Sequence, residues 1–548
     1  MSHPRTPLYA PHGVVATSQP LAATAGLAVL RRGGTAVDAA IAAATTLTVV
    51  QPGSNDIGGD LFAIVWDGHR LHGLNGSGRS PATLHRDTVL AATAGRGADP
   101  VDALGGAQAT GPAMPARGWL PVTVPGAPAA WRDLHDRFGV LPFAELFADA
   151  IGYAERGYPV SPNVAANWAR AVRVQAALSG PEFAEWTRVF TVDGGRAPYP
   201  GERFRNPAAA ETLRRIAGSG AADFYTGRVA AALAEHAART GGLLTGDDLA
   251  RHASAWVDPV GTGYRDHEVW ELPPNGQGVA ALLALAILDG VDLAAMSPAD
   301  RVHWQIEAVK LGFADAQAYV TDPSQVPVST EALLEPEYVK SRRTMIGDRA
   351  GQPAPGEPAR GGTVYLCVAD SAGMMVSLIQ STYLGFGSHV VVPGYGFGLQ
   401  NRGAAFRLDP AHPDVVGPAK RPFHTIIPGF LTRGGEPVGP FGVMGGHMQP
   451  QGHVQVVAAT VDDGLDPQAA LGLPRWYWHA GRSVHLESTY LASESGRAVL
   501  AGLRERGHDV QVPAEPSVFG HGQAVWSQAG GGYVAGTESR TDGCAVGY

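Results

Sequence analysis

A chain of 548 residues can bury a large core, and the length allows about three or four domains. An apolar fraction of 45% and a charged fraction of 17% fit an ordinary globular protein, while 72 glycines and 42 prolines give many tight turns without reaching the share that marks disorder. A net charge of −9, with no basic run and no lysines beyond Lys310, Lys340 and Lys420, argues against nucleic acid as the main partner.

The opening MSHPRTPLYAPHG has no apolar signal core, and no stretch long enough to cross a membrane follows, so a cytoplasmic protein without a membrane partner is expected. Residues 13–60 predict a short strand and then two small-residue helices. The first, Pro20 to Arg32, has Ser18 as its capping candidate and Gly33-Gly34 as its stop. The second, Ala36 to Val49, starts at Thr35 and ends before Pro52. Its alanines allow close packing on a sheet. A strand follows at LFAIVWDG from Leu61. The middle, about 120–345, alternates helices with polar turns; Val302, Ile306, Val309 and Phe313 share one helical face between Ser297 and Pro323. From Thr363 strands dominate: TVYLCVAD, MVSLIQSTYLGFG, HVVVPGYGFGL, FHTIIPGFLTR and PVGPFGVMGG, with a helix, HVQVVAATV, after Gly452. A helix-rich region 1–362 and a sheet-rich region 363–548 predict an α+β layered fold.

Two readings of the junction stand, a plain linker feeding a strand and a cleavage site. Asp348 to Gly362 reads DRAGQPAPGEPARGG, has almost nothing to bury, and is expected to be a mobile surface loop. In the next stretch Val364, Leu366 and Val368 recur at period two, as in a strand. A cut after Gly361-Gly362 leaves Thr363 with a hydroxyl nucleophile and a free α-amine able to act as its base. Gly362 leaves the scissile carbonyl unhindered.

Rival motifs fail. No Gly-Lys pair exists, which excludes a P-loop, and Asn75-Gly76-Ser77-Gly78 has the wrong spacing for a nucleophile elbow. Gly394-Tyr395-Gly396-Phe397-Gly398 leads into no dinucleotide-type helix and reads as a turn. His303 and Glu307, one helical turn apart, read as a surface pair. His424, His447 and His453 have no carboxylate or thiolate at ligand spacing, and Cys367 and Cys544 are too few and too distant for a disulfide framework or zinc. No metal and no cofactor is expected.

Read with its flanking blocks, the Thr363 strand resembles the γ-glutamyltransferase family of N-terminal-nucleophile hydrolases. GVVATSQPLAATAGLAVLRRGGTAVDAAIAAATTLTVVQPGSNDIGGDLF is similar to the family's opening block. PVTVPGAPAAWRDLHDRFGVLPFAELFADAI and FYTGRVAAALAEHAARTGGLLTGDDLARHASAWVDPV are similar to its central blocks, and SRTDGCAVGY to its end. The resemblance covers nearly the whole chain. It implies a four-layer αββα sandwich, self-cleavage between Gly362 and Thr363 into subunits 1–362 and 363–548, and an acyl-enzyme on Thr363 resolved by water or an acceptor amine. Whether the two-subunit unit pairs again is left open.

By the same resemblance Ser381 stands where a hydroxyl supports the nucleophile, and the oxyanion glycine pair falls at Met448-Gln449, whose backbone amides would serve. The substrate pocket departs from the family pattern. The acid for a glutamyl α-ammonium is replaced by Ala405, its amide neighbour by Arg402, the carboxylate-gripping serine pair by His424-Thr425, and an asparagine by Tyr383. Arg79 is an approximate counterpart of the carboxylate-binding arginine. Phe406 to Gly417 is too short for the usual lid, which favours hydrolysis over transfer. The expected activity is a self-processing amide hydrolase or acyltransferase acting on a small-molecule amide. The alternatives are an acylase of the glutaryl or cephalosporin type, favoured by losing an anion and gaining Arg402, an acyl C–C hydrolase of a biosynthetic pathway, and an inactive scaffold.

Overall fold

The alanine-rich opening folds into the two helices its composition directs, with one of the two expected caps in place. The computed structural model, which describes residues 5–94, 113–352, 362–514 and 516–548, has helices at Pro20–Arg31 and Ala36–Val50. Thr35 caps the second in a reciprocal capping box with Asp38. The first is capped by Gln19 and not by Ser18. Gln19 Oε1 accepts from Leu21 N at 2.6 Å, while Ser18 Oγ donates to Gln51 Oε1 at 2.6 Å, so a tertiary bond outcompetes the local cap. Ser297 caps the Pro298–Tyr319 helix as its sequence predicts, by accepting from Asp300 N.

Two antiparallel seven-stranded sheets form the centre. The first runs Cys544–Gly547, Val14–Thr17, Gly362–Ala369, Met375–Tyr383, Asp60–Trp66, Leu71–Gly76, Ala255–Val257. The second runs Leu8–Ala10, Tyr533–Thr537, His521–Ser527, Glu436–Met444, Gly429–Arg433, His267–Glu271, Val260–Tyr264. Each sheet takes strands from both sides of residue 362. The two regions are therefore interleaved, and every strand of the 363–548 region has a hydrogen-bonded neighbour in one sheet or another.

The period-two pattern after Gly362 decides the layering. Val364, Leu366 and Val368 face the Ala36–Val50 helix and the rest of one outer helical layer. Tyr365, Cys367 and Ala369 face the opposite sheet, where they join Phe62, Ile64, Phe430 and Val525 in an inter-sheet core. On the far side, helices Gly278–Asp289, Pro298–Tyr319 and Met448–Val461 pack on Leu431, Phe441, Val443 and Ala524. The order is helix, sheet, sheet, helix, the αββα sandwich. No helix of the described residues is long and apolar enough to cross a membrane.

Three late elements differ from expectation. HVVVPGYGFGL forms no strand, only the isolated bridges Val391↔Gly398 and Gly58↔Leu399, because Gly394 (φ +81°) and Gly396 (φ +70°) turn the chain in the left-handed region. FHTIIPGFLTR is a strand only over Gly429–Arg433, after Pro428. The helix expected after Gly452 begins earlier, at Met448, with Pro450 tolerated in its first turn.

Candidate active site

Thr363 lies at the head of the Gly362–Ala369 strand, where the register against Met375–Tyr383 shifts between Gly362↔Tyr383 and Val364↔Gln380. That bulge re-aims the Thr363 side chain out of the regular ladder. Thr363 is 3% exposed, and its Oγ1 donates to Ser381 Oγ at 3.3 Å. Ser381 sits on the adjacent strand, opposite Asp60 in the next. Its Oγ also accepts from Tyr383 N at 2.8 Å and from Arg402 Nη2 at 3.3 Å. Residues 353–361 of the tether, Gly361 among them, lie outside the described residues.

Arg402 is fully buried, and Nη1 donates to Thr425 Oγ1 at 2.8 Å. Its guanidinium lies 4.3 Å from the centroid of the Tyr383 ring, a cation–π contact. Tyr383 adopts φ +79°, a strained conformation for an aromatic residue, held by the hydrogen bond its backbone N–H donates to Ser381 Oγ. Arg402 Nε has no hydrogen-bond partner, and among the described residues no carboxylate comes within ion-pair distance of the group. Burial lowers its pKa to about 10, against the opposing pull of Tyr383 and Asp60, so it stays charged at neutral pH.

Asp60, singled out by no sequence motif, is the carboxylate of this cluster. Oδ1 accepts from Gln400 Nε2 at 2.8 Å and from the amides of Gly78 and Gly126 at 3.1 Å each, and Oδ2 faces His424 Nε2 at 3.1 Å. Burial pushes its pKa up to about 7, although Gln400, Arg402 and the two amides pull the other way. His424 is held well below its ordinary pKa by burial and by Arg402. Its Nδ1 accepts from Ile426 N at 3.3 Å, so the neutral ring carries its proton on Nε2, toward Asp60.

Thr363, Ser381, Tyr383, Arg402, His424 and Thr425 are thus brought into one linked cluster. Other expected positions are not. Arg79 Nη1 is committed to Asp322 Oδ2 at 2.5 Å and to Ala419 O at 2.9 Å, with its side chain 42% exposed. Met448 N and Gln449 N donate to Gly445 O and Gly446 O at 3.1 and 3.3 Å, which closes the first helical turn and spends both expected oxyanion donors. Gly445 (φ +137°) and Gly446 (φ +62°), just before them, have the backbone freedom that an oxyanion loop needs, and Gln277 Nε2 ties Gly446 O at 2.9 Å to Thr425 O at 2.6 Å. Gln449 instead accepts from Ile427 N at 3.1 Å, and Met448 packs on Tyr477 and Phe519. The glycine pair itself was the available signal, three residues upstream of the expected position. The short Phe406–Gly417 stretch folds on itself, with Arg407 N donating to Asp414 O at 3.0 Å and Val416 N to Arg407 O at 2.9 Å.

The histidines separate. His424 meets Asp60, His447 Nδ1 meets Gln277 Oε1 at 2.9 Å, and His453 Nδ1 meets Glu271 Oε1 at 2.6 Å. The two carboxylate partners, Asp60 and Glu271, come from distant sequence, which spacing does not reveal. His303 and Glu307, expected as a surface pair, are buried with His508. His303 Nδ1 and His508 Nε2 are 2.9 Å apart, and Lys310 Nζ donates to Glu307 Oε1 at 2.7 Å. The ammonium supplies the positive charge there, so the group is a salt-bridged anchor for Gly347 and Gly351, whose carbonyls accept from His303 and Lys310.

Comparison with known proteins accords with this geometry. Residues 22–548 match the family described as gamma-glutamyltranspeptidase. The chain is 36% identical over 549 residues to the oxamate amidohydrolase proenzyme of Klebsiella pneumoniae subsp. pneumoniae, with 98% of each covered. It is 34% identical over 532 residues to the glutathione hydrolase-like YwrD proenzyme of Bacillus subtilis, covering 96% of this chain and 97% of the other. The crystal structure of cephalosporin acylase from Bacillus halodurans superimposes with a TM-score of 0.93 at 47% identity, over 100% of this chain and 98% of that one. With near-complete coverage on both sides and relatives that are themselves proenzymes, this chain belongs to the gamma-glutamyltranspeptidase family and is a self-processing amide hydrolase of the N-terminal-nucleophile type.

Proposed function

We propose that the enzyme hydrolyses a small amide whose acyl part ends in a carboxylate, with Thr363 as nucleophile and Arg402 as the group that holds the acyl carboxylate. The carrying observation is the buried Arg402 guanidinium, hydrogen-bonded among the described residues to hydroxyls alone and one bond from the Ser381 that meets Thr363. A buried cation with no contact carboxylate gains most from an anionic ligand. Ala405, where an acid for an α-ammonium is expected, leaves nothing at that position to favour γ-glutamyl over glutaryl-like groups. Oxamate amidohydrolase, by its name, acts on an amide that ends in a carboxylate, and cephalosporin acylase is named as an acylase; both fit this reading.

Cleavage of the Gly362–Thr363 bond divides the chain into 1–362 and 363–548. The new Thr363 α-amine takes the hydroxyl proton as Oγ1 attacks the amide carbonyl, and Ser381 orients that hydroxyl. The Gly445-Gly446 loop stabilises the oxyanion. The proton passes to the leaving amine, and water then releases the acyl group from Thr363. A cytoplasmic location belongs to the same proposal, in keeping with two free cysteines, Cys367 and Cys544; cell fractionation tests it.

Glutaryl, γ-glutamyl and uncharged pentanoyl anilides separate the readings. Glutaryl is expected to be fastest, and Arg402→Met to remove that advantage. Equal rates on glutaryl and pentanoyl substrates would overturn the role of Arg402, and a faster γ-glutamyl substrate would restore the transpeptidase-type donor.

A further inference from the structure

We propose that Gln277 is a positioning residue for the reaction: its side-chain amide fixes the Gly446–His447 peptide so that the free N–H groups of the glycine loop face the oxyanion formed on Thr363. The inference rests on the reading that this loop stabilises the oxyanion.

The packing of the two sheets places the loop. Cys367 Sγ donates to Pro440 O at 3.3 Å, and the Tyr365 ring lies so close to Gly442 that a Cβ there would come within 2.6 Å of it. The strands Gly362–Ala369 and Glu436–Met444 therefore pass one another in opposite directions, two residues for two. The next step sets Met444 beside Thr363, and the Gly445-Gly446 turn follows at once. Among the described residues, the N–H groups of Gly446 and His447 donate to no acceptor, whereas those of Met448 and Gln449 close the helical turn.

Two consecutive glycines at positive φ do not hold such a turn by themselves. Gln277 is buried and commits its whole amide. Nε2 donates to Gly446 O at 2.9 Å and to Thr425 O at 2.6 Å, which leaves Oε1 to accept from His447 Nδ1 at 2.9 Å. Its backbone N donates to His424 O at 3.0 Å, so the side chain is itself anchored to the segment that carries Thr425. Gly446 O also accepts from Gln449 N, at a longer 3.3 Å. In a trans peptide the C=O and the N–H point in opposite directions. Drawing Gly446 O toward Gln277 therefore turns the His447 N–H away from it, and the bond to the His447 ring holds that residue from its other end. Thr425 Oγ1 in turn accepts from Arg402 Nη1, so one buried amide keeps the glycine loop and the acyl pocket in register.

The test compares self-processed wild type and Gln277→Met on glutaryl anilide and on the same anilide with sulfur in place of the carbonyl oxygen. Sulfur is larger and a poorer hydrogen-bond acceptor, so a site built of N–H donors favours the oxygen substrate. In Gln277→Met, kcat for the oxygen substrate is expected to fall about 10- to 100-fold with KM changed less than about threefold, and the oxygen-to-sulfur rate ratio to fall about tenfold. A general loosening of the fold would slow both substrates alike and leave that ratio unchanged. An unchanged ratio, or a loss confined to KM, overturns the inference. A wild type that prefers oxygen no more than hydroxide does in solution means instead that the loop is not the oxyanion site, and the reading beneath the inference falls with it. Where Gln277→Met yields no processed enzyme, Gln277→Glu replaces it, because it keeps the shape and an acceptor for His447 but, when ionised, has no hydrogen to give either carbonyl. A wild-type ratio in Gln277→Glu overturns the inference as well.

Discussion

Two buried clusters of charge in this molecule follow opposite rules. In the cluster of Arg475, Arg540, Glu487 and Glu538, two guanidiniums meet two carboxylates. Arg475 Nη2 lies 2.8 Å from Glu538 Oε2, Arg540 Nη1 2.7 Å from Glu538 Oε1, and Arg540 Nε 2.7 Å from Glu487 Oε1. Burial would raise the Glu538 pKa, but the two guanidiniums outweigh it and hold it down to about 2. Around Thr363, by contrast, Arg402 meets hydroxyls and a ring, and Asp60, the carboxylate whose charge bears on it, is held by amides, Gln400 and His424. A closed network locks the chain near its C-terminal strand. An open one leaves an electrostatic demand for a ligand to meet.

The contrast predicts that function and stability separate cleanly between the two. The largest effect is expected from Thr363→Ala, which should leave a single 56.9 kDa chain, by intact mass, with no amidase activity and an unchanged melting temperature. Normal processing in that variant would remove Thr363 from the mechanism. Glu538→Gln should do the reverse: by chemical denaturation it should lose about 3–5 kcal/mol, because Arg475 and Arg540 are left buried and under-paired, while the processed fraction that folds keeps its kcat. Arg402→Met should lower kcat/KM for a glutaryl anilide by about 2–5 kcal/mol of transition-state binding, leave a pentanoyl anilide nearly untouched, and not lower the melting temperature, since a buried cation without a contact carboxylate is replaced by an apolar side chain.

The smallest effect is in the pH dependence of stability, and the two clusters have opposite signs. Asp60 has its folded pKa raised from 3.8 to about 7, so the stability it contributes is fully present below 3.8 and is lost as pH rises through about 7. Asp60→Asn should therefore gain on the wild type as pH rises across that window. Glu538 has its folded pKa lowered from 4.5 to about 2, so its contribution is present above 4.5 and is lost as pH falls toward about 2. The deficit of Glu538→Gln should shrink over that acid window. Thermal unfolding of both variants across the two windows checks the signs, and equal slopes would erase the distinction drawn here.

What the sequence by itself determined was local and periodic. Alternation after Gly362 set which strand residues face helices and which face the other sheet, the Thr35 and Ser297 caps set helix starts, and the Gly362–Thr363 step marked the head of a central strand. That Ser381, Tyr383, Arg402, His424 and Thr425 gather near Thr363 was also expected from motif order, and the structure brings them into one hydrogen-bonded cluster. Only the tertiary structure decided the rest. Asp60 and His424 are 364 residues apart, and Gln400 and Asp60 340, so no spacing rule joins them. Arg79 was drawn to Asp322, and Met448 and Gln449 closed a helical turn, since a buried amide or charge takes whichever partner the fold brings within reach. Periodicity is a property of neighbours in the chain, whereas hydrogen-bond satisfaction is a property of neighbours in space, and the chemistry of this site depends on the second.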